Sequence, residues 1–146
     1  MSSLKILNKN IFDDYATLIM SFGDTTSGFP LTNLTNDKKS KTWRSTNLTT
    51  PKITVTWSTA QTLSGVALAF TNLIAGSTFR VYLYNATSSG TLLYDSGAVS
   101  VSEGYSIPAG FASIGSASYA YGGGAHASVF FNSTSAVRRM DIEFSS

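Results

Sequence analysis

The sequence has no cysteine, a single histidine, three prolines and few charges. Without cysteine there is no disulfide, no thiolate metal site and no cysteine nucleophile. The lone histidine, His126, comes just after Gly122-Gly123-Gly124 and reads as an exposed loop residue. One imidazole cannot build a multi-histidine metal centre, and a His-based triad is not expected around it. Charged residues make up 12% of the chain, about half the usual share. The net charge of +2 supplies no basic stripe of the kind that holds nucleic acid. No window reaches the roughly 18 apolar residues of a membrane span. The opening "MSSLKILNKNIFDDY" holds no apolar run of signal-peptide length. The expected chain is made in the cytosol and partners neither membrane nor nucleic acid.

Carboxylates are scarce too, with eight Asp and Glu together. Asp13 and Asp14 adjoin each other, and Asp24 and Asp95 sit beside turn residues, but no spacing suggests the converging pair of a glycoside hydrolase. A loop such as "FDDY" could offer oxygen ligands to calcium, as sandwich loops often do. "GGGAH" lacks the GK[ST] ending and the strand–helix setting of a phosphate loop. The expectation is a protein that is not an enzyme and that holds no cofactor and no metal. Asn33, Asn47, Asn85 and Asn132 open N-x-S/T triplets, a number that this much Ser and Thr produces by chance.

Hydroxyls and β-formers fill the space. The chain has 23 Ser, 18 Thr and 42% hydrophobic residues in 146 positions, enough for one domain with a core. Thr suits a pleated surface and Ser suits turns. "ATLIMSF" (Ala16 to Phe22) is a short apolar run. "KITVTWS" alternates, with Ile53, Val55 and Trp57 on one face and Thr54, Thr56 and Ser58 on the other. "GVALAFTN" (Gly65 to Asn72) reads as a central strand covered on both faces. "TFRVYLYN" sets Phe79, Val81 and Leu83 opposite Arg80, Tyr82 and Tyr84. "TLLYDSG" and "AVSVSE" are short strands separated by a Ser-Gly turn. "ASVFFN" and "VRRMDIEFS" follow; in the latter Val137, Arg139, Asp141 and Glu143 share one face, and Met140, Ile142 and Phe144 the other. No segment keeps an apolar period of 3.6, and a short helical turn fits only near Leu31–Asn36 or Pro108–Ile114. About eight strands at intervals of about ten residues predict a single antiparallel β-sandwich or jelly roll over 1–146. Residues 109–128, rich in Gly, Ala and Ser, read as a flexible loop or crossover with Tyr119 and Tyr121 as anchors.

Charge gathers in one stretch, "NLTNDKKSKTWRST", which holds four of the ten basic residues and one of the two tryptophans. As a binding patch it would offer Trp43 as a stacking platform and Arg44 as a hydrogen-bond fork for an anion or a sugar. As structure it divides into a solvated lysine loop and a strand, "TWRS", that turns Trp43 into the core. The second division suits tryptophan, which packs more often than it serves as a platform.

The order of motifs resembles a bacteriophage tail-associated structural protein with a galactose-binding-like, discoidin-type jelly-roll domain. The matching positions are Asn33, Leu34, Lys41, Trp43, Arg44, Ser45, Asn72, Leu73, Arg80, Val81, Leu83, Tyr84, Tyr94, Asp95, Ser96 and Gly97, with a looser match through "ASVFF" and "VRRMDIEF". The family pattern has His where this chain has Thr71, and continues into a "G-Y-I-E-I-G-R" segment that is absent here. On that pattern either the sandwich closes with its N-terminal strand alone, or a neighbouring chain completes the edge. The resemblance implies a jelly-roll fold and a virion location. Its implied function is that of a structural protein of the tail, baseplate or fibre region, in contact with other virion proteins and copies of itself. The alternative is a carbohydrate-binding module assisting host attachment, using Trp43, Arg44, Tyr119 and Tyr121.

Overall fold

The computed structural model describes residues 11, 16–22, 28–35, 41, 43–46, 49–71, 73, 77–100 and 125–145. Its strands are β1 (Ala16–Phe22), β2 (Lys52–Thr71), β3 (Thr78–Tyr84), β4 (Leu92–Asp95), β5 (Val99–Ser100) and β6 (Ala125–Ser145), with a 3-10 turn at Leu31–Thr35. The fold is all-β. The strands form one six-stranded antiparallel sheet in the order β1-β2-β6-β3-β4, with β5 also on β3. The most C-terminal described strand is thus central.

Alternation explains the sheet. In β3, Phe79, Val81 and Leu83 are buried, while Arg80 is exposed and Tyr82 and Tyr84 are half-buried. The register aligns Phe79 with Phe144, Val81 with Ile142 and Leu83 with Met140. Ile53 and Val55 of β2 continue those rows through Ile142 and Met140. Each such side chain contributes about 1.5–3 kcal/mol by leaving water. Trp57, Val137 and Leu31 belong to the same buried cluster, and so do Leu63 and Ala127 from the far halves of β2 and β6. The long pair is therefore curled: both ends of β2 reach one core.

Several expectations change. "KITVTWS" and "GVALAFTN" are one strand of 20 residues, β2, and "ASVFFN" and "VRRMDIEFS" are one strand of 21, β6. Gly65–Leu68 is not a central strand; among the described residues it pairs only with β6. The exposed "STAQT" linking the two halves of β2 carries a turn-like composition, and pairing with β6 overrides it. Where it does so the ladder is irregular. Between Arg139↔Thr56 and Val137↔Gln61 the β2 chain advances further than β6. In the next irregular step, between Val137↔Gln61 and Thr134↔Leu63, Ala136 takes a φ of 61°, a left-handed value costly for alanine. Arg138 serves the displaced backbone, donating to the carbonyls of Ser58 at 2.8 Å and Trp57 at 3.3 Å. The same irregularity removes Val137 from the Arg139–Glu143 face and buries it.

The loop expected over 109–128 ends earlier, because β6 begins at Ala125. His126 is accordingly a strand residue. "TWRS" is not a strand; Ser45 alone makes an isolated bridge. The helical turn expected near Leu31 is present, with Asn33 N–H donating to Pro30 O at 3.0 Å and Thr35 Oγ1 to Thr32 O at 2.9 Å. Tyr119, Tyr121, the Pro108–Ile114 turn and the "FDDY" aspartates lie outside the described residues.

Candidate functional site

The sequence placed its candidate site at Trp43 and Arg44. Trp43 is half-buried and packs against the core cluster, and its indole N–H is buried with no acceptor among the described residues. Arg44 is exposed, and its backbone N–H donates to Phe29 O at 3.3 Å. The two residues thus anchor the chain beside Phe29, with Trp43 turned toward the interior.

A denser arrangement occupies the outward face of the sheet. The registers that bury Phe79, Val81 and Leu83 turn Lys52, Glu143 and Arg80 outward in one row, Thr54, Asp141, Tyr82 and Asp95 in the next, and Thr56, Arg139 and Tyr84 in a third. Asp141, 4% exposed, accepts from Thr54 Oγ1 at 2.9 Å and faces Lys52 Nζ at 3.2 Å. Lys52 also reaches Glu143 at 3.2 Å. Burial works against the Lys52 charge, but Asp141 and Glu143 together outweigh it and raise its pKa above the ordinary lysine value. Tyr82 is also raised, first by burial and then by the charge of Glu143. The Arg139 guanidinium lies 4.0 Å from the centre of the Tyr84 ring. Its Nε is 3.5 Å from Asp141 Oδ1, close enough for attraction but not aligned as a hydrogen bond. This face matches cations to carboxylates strand by strand. It fixes which residues oppose one another, since a one-residue slip would break the Lys52 ion pairs and the Thr54–Asp141 bond between β2 and β6.

At the β3–β4 side the motif residues of "RV" and "YDSG" meet. Arg80 grips both carboxylate oxygens of Asp95, its Nε at 2.8 Å from Oδ1. Asp95 Oδ1 also accepts the Gly97 N–H at 2.9 Å. The Arg80 hydrogen bonds first, and this backbone bond second, hold the Asp95 carboxyl down at about 2. Ser96 exchanges with Val81: its N–H donates to Val81 O at 3.0 Å, and its hydroxyl accepts the Val81 N–H at 2.9 Å. The Ser96 hydroxyl donates in turn to Gly97 O at 2.7 Å. Gly97 takes a φ of 65°, open to glycine without steric cost. The turn before β4 closes through Asn85, whose Oδ1 accepts the Thr91 N–H at 2.8 Å and whose N–H donates to Thr91 O at 3.2 Å.

This clasp holds β4 at the end of the strand order. Tyr94 faces inward and stacks on Phe131 of β6 with ring centres 4.3 Å apart. Leu92 and Leu93 stand 47% and 37% exposed. Sequence reading had the strand but not this exposure. A register shift falls between Leu83 and Tyr84, where β4 steps from Tyr94 to Leu92, so the alternation that would hide one of two successive leucines is lost. The doublet "LL" in a strand of four was the available signal.

Phe130, 39% exposed, opposes Gly65 across the β2–β6 pair, and a Cβ on Gly65 would stand 2.9 Å from the Phe130 ring. The glycine lets the ring lie down on the strand beside it. Among the described residues no group of three or more His, Asp or Glu side chains gathers as a metal site. Compared with known protein families, with curated proteins and with solved structures, the chain matches none.

Proposed function

We propose that this chain is a structural subunit that works through protein–protein contacts with copies of itself and with other proteins of a virion, in a phage tail, baseplate or fibre. The observation that carries the reading is β4, a terminal strand with two exposed leucines, held rigidly by the Arg80–Asp95 and Val81–Ser96 contacts. Strand edges are templates for pairing, and exposed apolar groups mark contact surfaces. The resemblance supports the virion setting: its residues Arg80, Val81, Asp95, Ser96 and Gly97 form one bonded unit, a physical reason for them to occur together. The finer fold reading is a galactose-binding-like jelly roll in which β2 and β6 run from one layer into the other. It is supported by Leu63 and Ala127 sharing a core with Val55 and Val81.

The carbohydrate reading asks for an exposed aromatic platform, and Trp43 packs against the core instead. Light scattering of the purified protein across a range of concentrations tests the assembly reading. The expected result is a discrete multimer. A monomer at every concentration counts against self-assembly, and a glycan screen with Trp43→Ala as control then becomes the deciding measurement.

A further inference from the structure

We infer that the β2–β6 ribbon has a second, straight state, and that its bend is a joint which can open. The registers on the two sides of the joint carry the inference. From Thr56 to Gly65 β2 advances nine residues, and from Arg139 to Phe130 β6 moves back nine. The excess that β2 takes in the first irregular step is returned by β6 in the next two. The pairs up to Thr56↔Arg139 and those from Gly65↔Phe130 onward are therefore in the register of one uninterrupted ladder. An unbent ribbon needs no slip at either end. It pairs Trp57 with Arg138 and so on to Ser64 with Phe131, eight pairs where the bent joint has two, Gln61↔Val137 and Leu63↔Thr134.

Nothing in the sequence of the joint commits it to the bend. Glycine commonly marks a tight bend in a strand, and bulges admit proline. Residues 57–64 and 131–138 contain neither, and their Thr, Val and aromatic side chains suit an extended ladder. Ala136 instead holds a φ of 61°, which a straight strand relieves. Burial opposes that relief. The joint rolls the ribbon over: along β2 the residues directed at the core are Ile53, Val55, Trp57 and Leu63, then Val66 and Leu68. Straightening restores strict alternation, so it withdraws Leu63 and Val66 from the core and turns Val137 to the Arg139 face. The Arg138 fork on the Trp57 and Ser58 carbonyls and the Phe131–Tyr94 stack fasten the bent form. The bent form is therefore the major one. The straight form is a minor state that exchanges burial for a regular ladder and a relaxed backbone.

With no native cysteine, a pair of spin labels reads the joint directly. Ser100 lies on β5 beside Thr78, at the end of the sheet away from the joint, and Ser128 lies in the far half of β6; both are exposed. The Ser100→Cys/Ser128→Cys protein, labelled and diluted into unlabelled protein, is expected to give a main short distance and a minor longer one by pulsed electron resonance. Ala136→Val introduces a β-branched residue that resists positive φ. It is expected to shift the ratio of the two populations roughly tenfold toward the longer distance. Ala136→Gly removes the backbone cost of the bend and is expected to shift the ratio the other way. Arg138→Met leaves Ala136 in place and is also expected to favour the longer distance, and it carries the test if Ala136→Val does not fold. If Arg138→Met, and Ala136→Val where it folds, keep the short distance alone, the ribbon has one state and the proposal is overturned. Either result is independent of whether the chain assembles.

Discussion

Asp95 joins three parts of the chain: the Arg80 side chain on β3, the Gly97 backbone after the turn, and β4 itself. Its carboxyl lies at about 2, below the ordinary aspartate value of about 4. A depressed folded-state value stabilises the fold at pH above the unfolded value, and the gain fades as pH falls through the folded one. Stability from this group is therefore expected to decline between about pH 4 and pH 2. Asp95→Asn should flatten that part of the curve, read as urea midpoints at successive pH values. Both partners are solvent-accessible, so the effect should be modest and shrink further in high salt. At this scale the sequence was informative about faces. The alternation of β3 and of Ile53–Trp57 named the buried residues because a period of two is local. It also favoured a Trp43 turned into the core, and Trp43 packs against the core cluster; the strand expected to carry it there is reduced to a bridge at Ser45.

At the level of strands, pairing matters more than propensity. Asp141 is the buried junction of β2 and β6, holding Thr54 and Lys52. Asp141→Ala leaves a half-buried ammonium with Glu143 as its remaining carboxylate partner among these contacts. It should cost about 2 kcal/mol or more in chemical denaturation. The two halves of β2 should also differ in amide hydrogen exchange. Lys52–Thr56 is paired with both β1 and β6, whereas Gln61–Leu68 is paired with β6 alone among the described residues. Slower exchange at Val55 than at Val66 is expected; equal rates would show that the far half is braced as firmly as the near one. These long strands were the least legible elements. "STAQT" in β2 and "NSTSA" in β6 look like turns taken alone, and only the partner strand makes them extended. The cross-strand ion pairs were hidden for the same reason, since they follow from register. The β4–β5 break was legible because "DSG" carries its own turn chemistry, confirmed by the φ of Gly97.

The whole molecule has little charge and spends much of it on the outward face of its own sheet, where Lys52, Arg80 and Arg139 meet Asp141, Glu143 and Asp95. The strand order has a consequence for how the molecule comes into being. Between β2 and β3 lies β6, the last described strand to be synthesised. Thr54 and Asp141, bonded in the finished sheet, are 87 residues apart in sequence. Until β6 emerges, β1–β2 and β3–β4–β5 are separate fragments, each with a raw edge toward the missing centre. Closure over so long a span makes folding slow, and during that interval strands of neighbouring nascent chains compete for the vacancy. For this chain, yield on refolding should depend on dilution long before it depends on the final stability of the fold.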